Sequence, residues 1–191
     1  MMSRRLIVCL TGMPGAGKST VASFLHDKGF VAITMGDAVR DEAKRQGLEP
    51  TDAHLGKLML KLRQDLGQGA VAHLILQKLE RDGNSDNDVV IDGIRSISEV
   101  EVLKKVGHVK LLAIHASPGI RFKYLVERGR SDAPIDTNEF TRRDQRELSI
   151  GISEAIALAD ETISNNELTI EQLRDHVCTI INEWATEARK N

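Results

Sequence analysis

Gly12-Met13-Pro14-Gly15-Ala16-Gly17-Lys18-Ser19 has the spacing G-x-x-x-x-G-K-[ST] of a phosphate-binding loop. Several backbone N–H groups must point into one concavity to hold phosphate oxygens. Glycines permit the positive φ angles and the close approach that this needs. The flanks agree with that reading. Leu6-Ile7-Val8-Cys9-Leu10 is continuously apolar, as a strand covered on both faces is. Ser19 to Lys28 reads as a helix with Val21, Ala22, Phe24 and Leu25 on one side and Gly29 as its stop. The helix adds the positive end of its dipole at the loop. The nucleotide-binding candidates are therefore Gly12, Met13, Pro14, Gly15, Ala16, Gly17, Lys18, Ser19 and Thr20, with ATP as cofactor. Lys18 can reach the β- and γ-phosphates, and the Ser19 hydroxyl can coordinate Mg²⁺.

Further along, strands and helices alternate. Val31 to Met35 reads as a second strand, with Asp37 placed as the N-cap of a helix to about Gln46. Thr51 to Arg81 is mostly helical: Leu55, Leu58, Met59, Leu62 and Leu66 keep a 3.6-residue period, and Gly67 and Gly69 interrupt it. Val89-Val90-Ile91 is a third buried strand ending in Asp92-Gly93. Ser96 and Glu99 form a capping box for a helix through Val106. Val109 to His115 is a fourth strand, and Ser117-Pro118 opens a helix to about Arg128. Asp136 and Glu139 open a helix reaching Ala159, Glu161 to Ser164 is a short edge strand, and Thr169 and Gln172 cap the last helix. This order implies an α/β layered fold with right-handed crossovers. In such folds ligands bind at the carboxyl ends of strands. Asp92, at the end of the third, is the second Mg²⁺ candidate beside Ser19; the plainer alternative is a turn residue before Gly93.

Composition narrows the function classes. The chain has 191 residues, 41% hydrophobic and 28% charged, with a formal net charge of −2. That suits one folded domain and excludes intrinsic disorder. The longest apolar runs, Leu6 to Leu10 and Ala155 to Ala159, fall far short of the about 20 residues that a membrane span needs. Without an excess of positive charge, general nucleic-acid binding is not expected. Cys9 and Cys178 make neither a disulfide framework nor a metal cluster, which points to a reducing cytoplasm. The six histidines have no ligand spacing. Oligomeric state is not readable.

Thr11 to Thr20 closely resembles the loop of adenylate kinase and related nucleoside monophosphate kinases. Gly36-Asp37-Ala38-Val39-Arg40 looks like the G-D-x-L-R segment of that family, whose arginine reaches the acceptor phosphate. Asp92-Gly93-Ile94-Arg95 looks like D-G-F-P-R, with the proline missing and Arg95 one position early. Arg128-Gly129-Arg130 resembles the start of an arginine-bearing lid. Together with Arg142-Arg143-Asp144 and Glu147-Leu148, the Asp92 to Arg95 segment also looks like an archaeal family of adenylate-kinase-like proteins. The resemblance implies a P-loop nucleoside triphosphate hydrolase fold with a five-stranded parallel sheet and helices on both faces. It also implies an acceptor-binding region at about residues 37–82 and a short lid at about 128–137.

Phosphoryl transfer asks for positive charge around the equatorial oxygens, and arginine supplies it in a bidentate form. The catalytic candidates are Lys18, Arg95 and Arg128. Asp37, Arg40 and Arg95 are acceptor-binding candidates, and Arg128, Arg130 and Arg142 are lid candidates. Arg142, Arg143 and Arg146 share one helix, which reads equally as a solvated face with Glu139, Asp144 and Glu147 as counter-charges. Asp37 is either a cap or a general base. The leading expectation is a kinase of a small phosphorylated acceptor, a nucleoside monophosphate first. One alternative is transfer to an alcohol, as in dephospho-coenzyme A kinases. The other is a nucleotide-gated switch with at most slow ATPase activity.

Overall fold

The computed structural model describes residues 5–49, 51–129 and 134–190. Five strands, β1 (Leu6–Thr11), β2 (Val31–Thr34), β3 (Val89–Asp92), β4 (His108–His115) and β5 (Glu161–Ser164), form one parallel sheet in the order β2-β3-β1-β4-β5. The helices are α1 (Lys18–Asp27), α2 (Met35–Arg45), α3 (Asp52–Leu66), α4 (Ala70–Arg81), α5 (Ile97–Leu103), α6 (Pro118–Arg128), α7 (Thr137–Ile150), α8 (Ile152–Ala157) and α9 (Ile170–Lys190).

The central strand explains its own sequence. Alternate residues of a strand point to opposite faces. Ile7 and Cys9 enter a core built with α2, α3, α4 and α5, while Leu6, Val8 and Leu10 enter one built with α1 and α9. Every residue of β1 is therefore buried, and no polar alternation is possible. Each such Leu or Ile contributes roughly 1.5–3 kcal/mol by leaving water. The sheet thus fixes the height at which the glycine loop leaves β1. Among the described residues no helix is long and apolar enough to cross a membrane.

Four local expectations are corrected. Met35 belongs to α2 rather than to the second strand, and Thr34, not Asp37, is the N-cap: its hydroxyl accepts from the Asp37 N–H at 2.9 Å. Asp37 sits in the first helical turn, where its charge suits the helix dipole. The helix from Asp136 does not reach Ala159. Gly151, at φ 107°, ends α7, and α8 starts afresh. The helix after the Ser96–Glu99 capping box is shorter than expected, because the chain turns through residues 104–107 to enter β4.

Candidate functional site

A cleft of about 810 Å³ opens at the carboxyl ends of the strands. Its walls come from residues that follow β1 (Gly12 to Thr20), β2 (Gly36, Asp37, Arg40), β3 (Gly93 to Arg95) and β5 (Asn165). This is where a parallel sheet with helices on both faces is expected to take a ligand.

The loop is held open from outside. At Gly15, φ is +83° and an added Cβ would stand 2.6 Å from the Arg121 carbonyl oxygen, so no other residue fits without displacing α6. Arg121 Nη1 donates to the Pro14 carbonyl at 3.1 Å, and Asn165 Nδ2 donates to the Ala16 carbonyl at 3.0 Å. Lys18 Nζ donates to the carbonyls of Gly12 at 2.6 Å and Met13 at 3.2 Å. Met13 and Ala16 are thus bonded into the loop, while Gly12, Pro14, Gly15, Gly17, Lys18, Ser19 and Thr20 line the cleft. Burial pushes the Lys18 ammonium below its usual range, and the Asp92 carboxylate opposes that.

After β2, Arg40 grips Asp37 through Nη2–Oδ1 at 2.6 Å and Nε–Oδ1 at 3.1 Å. The Thr34 hydroxyl donates to Asp37 Oδ2 at 2.7 Å. Burial raises the Asp37 carboxyl, but the hydrogen bonds from Thr34 and Arg40 outweigh it and hold the group below its ordinary range. Arg95 lines the cleft, and its Nε donates to Glu147 Oε2 at 2.7 Å. The backbone N–H groups of Arg95 and Ser96 both donate to Glu99 Oε2, so the arginine sits on a tied turn.

The remaining sequence candidates separate. Arg128 lines the cleft at the end of α6, and Arg143 lines it from α7. Arg142 points away: its side chain is 70% exposed and lies 3.8 Å from Glu139. Arg130 lies outside the described residues. The counter-charge reading of α7 is corrected in part. Asp144 and Glu147 do not serve the surface; they pair inward with Arg121 and Arg95.

Ser19, in the first turn of α1, offers a hydroxyl, and Asp92, at the end of β3, offers a carboxylate. Both are hard oxygen donors of the kind Mg²⁺ takes. Among the described residues no cluster of three His, Cys, Asp or Glu side chains could hold a metal by itself. Two protein oxygens fit an ion that keeps its other positions for water and phosphate.

Sequence reasoning passed over Arg121, which is 3% exposed and bonds Ala116, Pro14 and Asp144 at once. Its signal was present: Arg121, Leu125 and Arg128 share one face of α6. It also passed over Tyr124, Leu168 and Ile170, which supply apolar wall beside the loop.

The AAA domain family matches residues 11–141. A UPF0200 protein of Pyrococcus abyssi is 45% identical over 85% of this chain and 88% of its own. One of Methanocaldococcus jannaschii is 39% identical over 97% and 93%. Among solved structures, TT1252 from Thermus thermophilus superposes with a TM-score of 0.64 at 17% identity, covering 94% of this chain and 98% of its own. Shikimate kinase from Bacteroides thetaiotaomicron gives 0.58 at 17%, covering 93% and 97%. Those two share the P-loop kinase-like fold, and with relatives this similar along nearly its whole length the chain belongs to the UPF0200 family, as an AAA-domain protein of that fold.

Proposed function

We propose that this chain is an ATP-dependent kinase that moves the γ-phosphoryl group to a phosphorylated small molecule, a nucleoside monophosphate first. One observation carries the reading: a single cleft holds a phosphate cradle with Lys18 and Ser19 on one wall and Arg40 and Arg95 on the other. A hydrolase of ATP alone has no use for this second pair of arginines, each held in place by a carboxylate, Arg40 by Asp37 and Arg95 by Glu147. The adenylate-kinase-like segments around Arg40 and Arg95 support the same reading, and so does the kinase among the structures of this fold.

In this proposal the loop N–H groups and Lys18 hold the β- and γ-phosphates. Ser19 and Asp92 would hold Mg²⁺, which neutralises charge on the phosphate oxygens when bound. Arg95 and Arg128 stand where charge develops on the transferring group. Residues 37–82 take the acceptor, and the lid begins at Arg128. The work is positioning and charge neutralisation, since transfer between phosphate oxygens needs no strong base. The alcohol-acceptor alternative requires Asp37 as that base. A carboxylate already engaged by Arg40 and Thr34, with its proton affinity lowered, is poorly suited to take a proton.

The test is direct. Pure protein mixed with MgATP and a panel of nucleoside monophosphates should give the matching diphosphate, at a rate that depends on the acceptor. Acceptor-independent hydrolysis, or no turnover with any of them, removes the proposal.

A further inference from the structure

Among the described residues Arg63 stands out for its buried guanidinium edge. It lies on α3, next to Leu62 in the core, and its Nε and Nη2 atoms are buried without a hydrogen-bond partner. Guanidinium nitrogens are seldom left so, because an unmet buried donor on a charged group costs more than a neutral one. The charges acting on Arg63 are those of Glu99, Arg95 and Glu147. Arg95 and Glu147 line the cleft; Arg63 does not. Four charges therefore share one neighbourhood, two positive and two negative.

The two carboxylates are not equivalent. Glu99 accepts from the N–H groups of Arg95 and Ser96 as part of the α5 capping box, so leaving would uncap the helix. Glu147 belongs to α7, a separate element. It holds Arg95 through one good bond, Nε–Oε2 at 2.7 Å, while Nη2–Oε1 is 3.5 Å. Of the two, Glu147 is the one that an incoming anion can replace without breaking local backbone structure.

We propose that Arg63 and Arg95 together form the seat for an anionic group of the acceptor, a phosphate or a carboxylate, and that Glu147 occupies this seat until the acceptor arrives. One carboxylate swings out and one anion enters: a carboxylate keeps the charge count unchanged, and a phosphate monoester brings up to about one further negative charge for the two arginines to meet. It gives the buried nitrogens of Arg63 the acceptors they lack, in the forked geometry that guanidinium groups offer to both anions. This deepens the acceptor half of the kinase reading and rests on it.

The test uses the full chain with its donor site filled by Mg²⁺ and the imido analogue of ATP, so that the phosphate loop cannot bind the probe. Inorganic phosphate and acetate are then titrated by calorimetry. The expected result is binding of at least one, whichever is tighter naming the anion class. Arg63→Gln should weaken it about tenfold or more, the scale of losing charge-assisted hydrogen bonds. Glu147→Gln should strengthen it several-fold, because the competing charge is gone. Should Arg63→Gln fail to fold, the Glu147→Gln result still decides. No binding of either anion, an Arg63→Gln constant equal to wild type, or no gain in Glu147→Gln overturns the proposal. None of these readings needs turnover. A protein that binds phosphate through Arg63 yet transfers nothing contradicts the kinase reading alone.

Discussion

The guanidinium of Arg121 and the carboxylate of Asp144 meet end on, Nη1–Oδ1 at 2.9 Å and Nη2–Oδ2 at 2.5 Å, with the Phe140 ring 4.8 Å from the cation. The pair joins α6 to α7, and the same arginine holds the Pro14 carbonyl of the phosphate loop. Removing one partner of such a pair leaves a buried charge unmet, which costs about 3–5 kcal/mol. Asp144→Ala should therefore lower stability by that amount in urea unfolding. The double change Arg121→Met with Asp144→Leu should recover most of it, because apolar replacements of similar volume carry no desolvation cost. ATP affinity in the double variant should stay below wild type, since the Pro14 carbonyl has lost its donor. Full ATP affinity there would contradict a role for Arg121 in shaping the loop.

Lys18→Ala should abolish turnover and weaken binding of a fluorescent ATP analogue by about tenfold or more. The wild-type protein should also show an alkaline limit. Burial lowers the Lys18 pKa from 10.5, so the ammonium is lost in the folded protein at a pH where it persists in the unfolded chain. Nucleotide affinity should fall as pH rises through that lowered value. Stability of the nucleotide-free fold should rise over the same window, because the unfolded chain then binds the extra proton. Asp92→Asn removes a charge that opposes the shift, so its affinity should fall at lower pH than wild type. The comparison is made without Mg²⁺. A wild-type affinity that shows no fall anywhere below pH 10.5 would count against the buried ammonium.

Gly15→Ala should cost about 1–3 kcal/mol, from a positive φ and from the Arg121 carbonyl in the way. ATP binding should be lost with it. Gly119 makes a control on the same helix as Arg121: an added Cβ there meets nothing within 4 Å. Gly119→Ala should leave ATP binding intact and raise stability by about 0.5–1 kcal/mol. Thermal melts and ATP titration read both.

Asp37→Asn separates the two acceptor chemistries. With a phosphate acceptor, kcat should hold within about threefold, and the acceptor KM should rise as Arg40 loses its charged partner. With an alcohol acceptor, kcat should fall about 10²–10⁴-fold, the range of a lost general base. ATP binding should be unchanged in both.

What the chain announces in sequence is local. The apolar run of β1, the glycines after it and the capping boxes at Ser96 and Thr169 each need only their neighbours, and each is found in place. The boundary at Thr34 is hidden in the sequence because threonine suits both a strand and a cap, and only the hydrogen bond from the Asp37 N–H decides it. The charges of α7 were harder to read. Asp144 and Glu147 look like any solvated pair until partners 23 and 52 residues away are folded against them. Arg63 shows the same blindness from the other side. A single arginine one turn after Met59, inside an apolar stripe, gives a sign of inward placement but none of what it faces.

Lys18 rests on the carbonyls of Gly12 and Met13. If the proposed kinase takes a triphosphate there, the ammonium exchanges these two backbone acceptors for phosphate oxygens, and a loop it already braces needs little reordering to receive them.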